Sequence, residues 1–105
     1  MAELRRPVVW SSDARDDLGV IWDYYTKVAG QHTAEKIVRE IGEACLLLED
    51  HPFAGRSRNE VRPELRSVAT SPHIIFYRVK NGTAEIVRVL DGRQDIDTYF
   101  AGPDQ

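Results

Sequence analysis

The sequence has little of the chemistry that disulfides, metal sites and membrane spans require. Its 105 residues include a single cysteine, Cys45, so no disulfide can form within the chain, as is typical of proteins in a reducing cytoplasm. Cysteine and histidine form no cluster, which argues against a structural zinc site, and we expect neither a metal nor a cofactor. No apolar run approaches the roughly 18 residues of a membrane span, and residues 1–7 lack the apolar stretch of a secretion signal. We therefore expect a cytoplasmic protein with no membrane partner.

The remaining composition is that of an ordinary globular domain with an uneven charge distribution. Apolar residues make up 42% of the chain and charged residues 30%, and the length suits a single domain over residues 1–105, with residues 1–6 and 101–105 frayed. Residues 1–55 contain 6 Lys/Arg and 10 Asp/Glu, whereas residues 56–93 contain 8 Lys/Arg and 4 Asp/Glu. The basic half could meet an acidic protein or a phosphate backbone, or its charges could simply solvate exposed strand positions.

Hydrophobic periodicity predicts a short strand followed by a helix hairpin. The apolar run at residues 8–10 favours a strand, and Ser11 and Ser12 can cap the helix that follows. Gly30 should end this first helix, and Pro52 should stop the second. The apolar stripes are Ala14, Leu18, Ile21, Trp22 and Tyr25 in the first helix, and Ala34, Ile37, Val38, Ile41, Cys45 and Leu48 in the second. Three acids, Asp13, Asp16 and Asp17, are placed in the first turn of the first helix, where its dipole favours anions.

Three strands in a meander are predicted after a basic loop at residues 53–63. Asn81-Gly82 is a strong two-residue hairpin signal, and counting outward from it places Tyr77 opposite Ile86 and Ile75 opposite Arg88. One face of the sheet then carries Ile74, Phe76, Val87 and Val89, and the other carries Ile75, Tyr77, Val79, Ile86 and Leu90. Because the helices can cover only one apolar face, we expect a binding partner to cover the other.

The predicted fold is α+β with the order β-α-α-β-β-β(-α), in which the helix hairpin packs on a small, mostly antiparallel sheet. The last helix is short, runs from residue 94 to residue 100, and has Ile96, Tyr99 and Phe100 as its apolar side. It can cover part of the second face of the sheet.

Eight short segments along the chain carry a family resemblance. They are Trp10-Ser11, Asp17-Leu18, Ile21-Trp22-Asp23-Tyr24-Tyr25, His51-Pro52-Phe53-Ala54-Gly55-Arg56, Glu64-Leu65-Arg66-Ser67, Ile75-Phe76-Tyr77-Arg78-Val79, Glu85-Ile86-Val87-Arg88-Val89-Leu90 and Asp91-Gly92-Arg93-Gln94-Asp95-Ile96. In this order and spacing they resemble the ParE branch of the RelE/ParE toxins. The resemblance implies the toxin of a bacterial type II toxin–antitoxin system, a ParD-like antitoxin partner, DNA gyrase as the target, and contact with DNA only through the antitoxin.

The RelE branch implies a different activity, which is cleavage of messenger RNA on the ribosome. That chemistry needs a base, cations and an acid around the reacting phosphate. At the positions that resemble the RelE nuclease site, this chain has Leu65, Ser67 and Ile74 where lysines and an arginine are expected, and only Arg93 and Tyr99 match. We therefore expect a non-catalytic inhibitor, with Arg93 and Tyr99 as the catalytic candidates if the chain is a nuclease.

Eight residues are predicted to bind the antitoxin or the target: Arg56, Arg58, Arg66, Ile75, Tyr77, Arg88, Leu90 and Arg93. Arg88 has no opposite charge within the hairpin, so interface contact and internal pairing both remain open, whereas Arg78 is expected to pair with Glu85 across the strands. His73 could be a base but has no matching acid, which favours a structural role. A third hypothesis is a non-toxic partner that only regulates the antitoxin. The target, the stoichiometry and the residues that set antitoxin specificity stay open.

Overall fold

The computed structural model describes residues 6–100 as a helix hairpin packed on a five-stranded sheet. The elements are β1 Val9–Trp10, α1 Ser12–Ala29, α2 Gln31–Asp50, β2 Arg56–Ser57, β3 Arg66–Thr70, β4 His73–Lys80, β5 Thr83–Asp91 and α3 Ile96–Phe100. The strand order is β1-β5-β4-β3-β2, and only the β1–β5 pair is parallel. The predicted α+β class and element order are confirmed; the two-residue strand β2 was not predicted, because it lies in the segment expected to be a loop.

Of the ends predicted to be frayed, residues 1–5 and 101–105 lie outside the described residues. Arg6 is described, and its guanidinium donates a hydrogen bond to the Asn81 carbonyl at 3.1 Å. Among residues 6–100, no helix combines the length and apolar character needed to cross a bilayer.

The two helices begin and end where the sequence predicts. The Ser11 hydroxyl accepts a hydrogen bond from the Ala14 amide at 3.0 Å, which satisfies one of the free N–H groups at the start of α1. Gly30 ends α1 with φ 96°, a conformation that glycine adopts without steric cost. Asp13 is in the first turn of α1, but Asp16 and Asp17 lie in the second turn, so their placement among first-turn acids was wrong. Asp17 is also buried.

The hairpin of β4 and β5 contains a bulge that shifts the predicted register. Tyr77 pairs with Ile86 as predicted, but Phe76 pairs with Arg88 and Ile75 with Val89, so the predicted pair of Ile75 and Arg88 is wrong. Val87 is the extra residue of β5. Because side chains alternate along a strand, one extra residue exchanges the faces of all residues beyond it. Val89 therefore lies in the core under the helices, and Leu90 lies on the opposite face.

The chain covers both faces of its own sheet. The helix hairpin packs on one face against Ile75, Tyr77, Ile86 and Val89. A second core on the other face contains Leu65, Phe76, Leu90 and Phe100, with Val61, Ile74, Val87 and Ile96 packed around it. The expectation that a partner must cover an exposed apolar face of the sheet is therefore wrong. Three predicted binding residues, Ile75, Tyr77 and Leu90, are buried in these cores.

The segment between α2 and β3 is attached to the sheet by Tyr77. The Tyr77 hydroxyl accepts a hydrogen bond from the Gly55 amide and donates one to the Pro52 carbonyl, both at 2.8 Å. Burial raises the pKa of the Tyr77 phenol, which favours the protonated form that donates this bond. The Arg66 guanidinium adds a hydrogen bond of 2.7 Å to the Gly55 carbonyl and stacks over the Phe53 ring. These contacts position the residues before β2, although their sequence shows no periodicity.

Candidate functional site

An open groove of about 480 Å³ lies between α1, the end of β5 and α3. We call it the α1–β5 groove. Its lining residues are Asp17, Val20, Ile21, Tyr24, Tyr25, His73, Arg88, Val89, Leu90, Asp91, Arg93, Gln94 and Tyr99. Four predicted site residues, Arg88, Leu90, Arg93 and Tyr99, therefore line one depression.

Arg88 is held in the groove by a carboxylate of α1. Its Nε and Nη2 donate to the two oxygens of Asp17, each at 2.8 Å, and the Val89 amide donates to Asp17 Oδ2 at 2.9 Å. A bidentate, largely buried pair of this kind fixes both side chains. The hydrogen bond from Arg88 to Asp17 also raises the pKa of the guanidinium, so it remains charged. Of the two possibilities left open for Arg88, the structure contains the internal pair.

Arg93 is paired more loosely, with a neighbour two residues before it. Its Nε donates to Asp91 Oδ1 at 2.9 Å and its Nη2 donates to Oδ2, while 74% of its side chain stays exposed. Hydrogen bonds from the Arg93 side chain and backbone lower the pKa of Asp91 to about 2. The guanidinium therefore projects from the end of the sheet into solvent with three of its five donors outside this pair.

Aromatic and aliphatic side chains form the walls of the groove. Val20 is 68% exposed, Tyr24 57% and Tyr99 40%. The Tyr24 ring contacts Tyr25 edge-on at 5.0 Å between centroids, and the Arg88 guanidinium lies 5.2 Å from the centre of the Tyr99 ring. Tyr99 was predicted to share the apolar side of the last helix with Phe100, but only Phe100 enters the core.

His73 lies at the end of the groove and is nearly inaccessible. Its ring packs edge-on to Tyr25 at 6.0 Å, and its strand position is opposite Asp91. Burial lowers the pKa of the imidazole, and nearby Arg93 lowers it further, while Asp91 acts in the opposite direction. A buried, neutral imidazole packed on a tyrosine is consistent with the structural role favoured for His73.

The basic residues predicted between α2 and β4 lie elsewhere and do not line the groove. Arg58 donates to the Ser67 hydroxyl at 2.8 Å and covers the Phe76 ring, whereas Arg56 is exposed near Glu60. With Arg66, these residues surround the attachment of β2 to β3. The predicted binding set is thus divided among three places, which are the groove, the attachment of β2 to β3, and the core under the helices, where Ile75 and Tyr77 are buried.

The positions that would carry lysines and an arginine in a RelE-type nuclease are occupied by core or structural residues. Leu65 is buried in the second core, and Ser67 is buried and accepts the hydrogen bond from Arg58. Ile74 packs against the second core. None of these three side chains can remove a proton from a hydroxyl or stabilise a charged phosphorane.

Several residues of the groove were not predicted as site residues by the sequence analysis, among them Val20, Tyr24 and Asp17. Val20 and Tyr24 are exposed at a spacing of four, and Val28 continues their line along α1. This second stripe, which lies beside the core stripe, is visible in the sequence once the core residues are known. Asp17 also carried a signal, because it lies between Ala14 and Ile21 at helical spacing, where an unpaired acid would be unfavourable.

Comparison with known proteins agrees with the fold and with the sequence resemblance. The family model described as ParE toxin of type II toxin-antitoxin system, parDE, matches residues 8–96. Toxin ParE1 of Mycobacterium tuberculosis is 38% identical over 88 residues, which cover 83% of this chain and 90% of the relative. Toxin ParE1 of Caulobacter vibrioides is 33% identical over 85 residues, covering 81% of this chain and 88% of the relative. A solved structure of the chromosomal ParDE TA system from P. aeruginosa superposes with a TM-score of 0.73 at 27% identity, covering 83% of this chain and 96% of that one.

Proposed function

The chain belongs to the ParE toxin family of type II toxin–antitoxin systems, and on that premise we propose that it acts by binding, with DNA gyrase as its target and a ParD-like antitoxin that neutralises it. The match over residues 8–96 supports the toxin role most strongly, because it includes both helices of the hairpin, all five strands and every residue of the groove except Tyr99. The similar P. aeruginosa structure is that of a ParDE system, which supports an antitoxin partner.

Inhibition by binding is supported by the internal pairing of the charged groups in the groove. Both guanidiniums are paired with carboxylates, Arg88 with Asp17 and Arg93 with Asp91, and the imidazole of His73 is buried. A metal-free nuclease needs a base with access to the substrate and cations directed at the reacting phosphate. The groove instead offers exposed apolar area beside charges, which is a composition suited to a protein partner.

The test combines growth and supercoiling measurements. Inducing the chain alone should arrest growth of a bacterial host, and co-expressing a ParD-like antitoxin should restore growth. The purified toxin should inhibit supercoiling by gyrase, and prior addition of the antitoxin should prevent this. Unimpaired growth with confirmed expression would favour the purely regulatory partner, and unaffected gyrase in the presence of excess folded toxin would remove this target.

A ribosome-dependent nuclease is the second candidate, because Arg93 and Tyr99 do line the same groove. It predicts messenger cleavage during translation that Arg93→Ala and Tyr99→Phe abolish. Primer extension on messages from induced cells measures this directly. Intact messages in cells that express the unaltered toxin would eliminate the nuclease.

A further inference from the structure

We propose that the end of the sheet beside the β4–β5 turn binds the phosphate backbone of duplex DNA directly. Four cations surround a single acid there, and we call this set of residues the turn-end surface: Arg6, Arg62, Arg78, Lys80 and Glu85. The family resemblance implies contact with DNA only through the antitoxin, whereas this contact is made by the toxin itself. It does not depend on gyrase being the target, because it is a property of the isolated chain.

Two shallow depressions bring the charges of the turn-end surface together. Arg62, Arg78 and Glu85 line one depression of about 130 Å³. Arg6, Lys80 and Glu85 line the other, which has a volume of about 330 Å³. Glu85 belongs to both linings, so the depressions are adjacent. The Arg6 guanidinium is placed there by its hydrogen bond of 3.1 Å to a carbonyl of the β4–β5 turn.

Glu85 neutralises only one of the four cations. Its carboxylate accepts a hydrogen bond of 2.7 Å from Arg78 Nε, and 51% of the Arg78 side chain stays exposed. Arg62 and Lys80 have no carboxylate partner within residues 6–100: Arg62 stacks on the Phe100 ring, and Lys80 is exposed at the end of β4. Four cations and one carboxylate leave this surface with a net charge of +3, which attracts a polyanion.

The charge on the rest of the molecule orients DNA toward the turn-end surface. Residues 12–50, which form the helix hairpin, contain 9 Asp/Glu and 4 Lys/Arg. The helices cover one face of the sheet, whereas Arg62 and Arg78 share their depression with Leu65 and Val87 of the second core on the other face. A duplex is therefore repelled by the helix layer and attracted to the opposite side of the molecule.

The composition of this surface favours a nucleic acid over an acidic protein. Protein interfaces are centred on aromatic or aliphatic anchors that become buried on binding. Among the residues that line the two depressions, all of them within residues 6–100, Val9 is the only large apolar side chain that is half exposed. An excess of cations with little apolar area suits phosphate groups, which bind through charge alone.

The absence of aromatic side chains favours a duplex over a single strand. Proteins that bind single strands stack the bases on aromatic rings. No aromatic residue lines either depression within residues 6–100, and the exposed rings of Tyr24, Phe53 and Tyr99 lie outside both. A duplex needs no such rings, because its bases are already stacked and its phosphates are on the outside. Contact through phosphates also predicts binding that does not depend on the base sequence.

The first experiment measures the affinity of the purified toxin, without antitoxin or gyrase, for a fluorescein-labelled duplex of about 20 base pairs by fluorescence anisotropy. The logarithm of the association constant should fall with the logarithm of the salt concentration with a slope of about −3 to −4, because about four phosphates are neutralised. Two duplexes of unrelated sequence should bind equally. No binding to either duplex at about 50 mM salt and about 100 µM toxin would overturn the proposal.

Lys80→Gln and Lys27→Gln form a matched pair, because each removes one exposed lysine and changes the net charge equally. Lys27 lies in the last turn of α1, away from the turn-end surface. Lys80→Gln should weaken duplex binding by about 3- to 10-fold at about 50 mM salt and make the salt slope less steep by about 1. Lys27→Gln should keep the affinity within about 2-fold. Equal losses in the two variants would show that the overall charge governs binding and would overturn the assignment to this surface.

Removing the single acid should have the opposite effect. Glu85→Gln releases Arg78 from its carboxylate and should strengthen duplex binding by about 3-fold. Glu43→Gln is the control, because Glu43 is exposed on α2 and its removal changes the net charge by the same amount. Thermal unfolding of every variant establishes that its fold is kept. If Glu85→Gln binds the duplex no more tightly than Glu43→Gln, the turn-end surface is not the DNA contact.

Competition separates duplex DNA from other polyanions. Polyglutamate, added at the same concentration of charge as unlabelled duplex, should displace the labelled duplex much less effectively. Equal displacement would mean that the surface accepts an acidic protein, and a single strand that binds more tightly than the duplex would mean that bases are contacted; either result overturns the proposal. Because no gyrase or antitoxin is present, these measurements succeed or fail independently of the proposed function.

Discussion

At the scale of single residues, Asp17 connects the helix hairpin, the bulge of β5 and the groove. Its two carboxylate oxygens accept three hydrogen bonds, two from Arg88 and one from the Val89 amide. The side chains of Asp17 and Arg88 are 11% and 21% exposed, so the pair is largely removed from water. Removing one member of such a pair is far more destabilising than the net contribution of the pair would suggest, because the other charge is left buried.

We therefore predict that Asp17→Ala lowers the free energy of unfolding by about 3 kcal/mol. The substitution leaves the Arg88 guanidinium and the Val89 amide without their acceptor, and urea unfolding followed by circular dichroism measures the loss. Asp16→Ala is the control, because Asp16 is exposed and precedes Asp17 by one residue. A difference below about 1 kcal/mol between the two variants would show that the pair is not a structural element.

His73 predicts a pH dependence of stability near neutrality. The unfolded imidazole has a pKa of about 6.5, and burial lowers the pKa in the folded state, so the unfolded chain binds the proton first as the pH falls. The contribution of the neutral side chain is therefore present above about pH 6.5 and is lost as the pH decreases from there toward the lower folded-state pKa. The loss should not exceed about 1.4 kcal/mol per pH unit, which is the limit for one proton.

The experiment compares unfolding free energies at pH 7.5 and 5.5 in the unaltered chain and in His73→Gln. We expect the difference between the two pH values to shrink in His73→Gln, because the group that takes up the proton is gone. His32→Gln, at an exposed position near the start of α2, is the matched control and should keep the unaltered pH dependence. If His73→Gln has the same change in unfolding free energy between the two pH values as the unaltered chain, His73 is not the group responsible for the pH dependence.

At the scale of elements, the parts with a strong local signal were predictable. Asn81 and Gly82 have the positive φ values of 54° and 78° that their hairpin turn requires, and the register counted from them is correct as far as Tyr77. Beyond Tyr77 the predicted register is wrong, because the bulge at Val87 adds one residue to β5. Both faces of these strands are apolar, so the sequence does not distinguish the register with the bulge from the register without it. Next to the bulge, the Val89 amide donates a hydrogen bond to Asp17, which lies 72 residues away in the sequence and so gives no local signal.

The candidate site was predictable to a similar extent. Arg88, Leu90, Arg93 and Tyr99 were identified and do meet in one groove, because the end of β5 and α3 both line it. Tyr24 was assigned no role, because the helical period identifies a core stripe but does not say which neighbouring positions are left uncovered. Ile75 and Tyr77 were predicted to bind a partner but are buried. The reason is related, because which elements cover each face of a sheet depends on the whole chain.

Replacing two glycines by alanine, Gly55 after α2 and Gly42 within α2, should change the stability in opposite directions. A Cβ at Gly55 would lie 2.5 Å from the Tyr77 hydroxyl oxygen and 2.8 Å from the Ser67 carbonyl oxygen, whereas a Cβ at Gly42 in α2 would meet nothing within 4 Å. Gly55→Ala should destabilise the protein by about 2 kcal/mol through this overlap. Gly42→Ala should stabilise it by about 0.5–1 kcal/mol, because alanine favours the helix.

Thermal unfolding of both variants in the same buffer checks this pair of effects, and each variant serves as the control for the other. Equal shifts of the midpoint in the same direction would contradict the expected overlap at Gly55. A stable Gly55→Ala protein would mean that the Tyr77 hydroxyl and the Pro52 segment can move apart without loss.

At the scale of the whole molecule, the toxin completes its own fold. The helix hairpin covers one face of the sheet, and α3 together with the segment before β3 covers the other. The sheet therefore provides no reason for an obligate partner. The outer surface of α1, the end of β5 and the exposed ring of Tyr99, which together form the groove, remain accessible to a partner.

Substitutions at two neighbouring residues of α3 can measure how much this helix contributes to the stability of the isolated chain. Phe100 is buried edge-on against Phe76 at 5.2 Å between ring centres and lies under the Arg62 guanidinium, whereas Tyr99 faces the groove. Phe100→Ala should lower the free energy of unfolding by about 3 kcal/mol, because it opens the second core, and Tyr99→Ala should lower it by less than about 1 kcal/mol. Urea unfolding of the isolated toxin gives both values, with sedimentation at several concentrations to establish that the chain is a monomer. If Phe100→Ala does not change the free energy of unfolding of a monomeric toxin, α3 does not stabilise the second core. That result would again favour a partner that covers this face of the sheet.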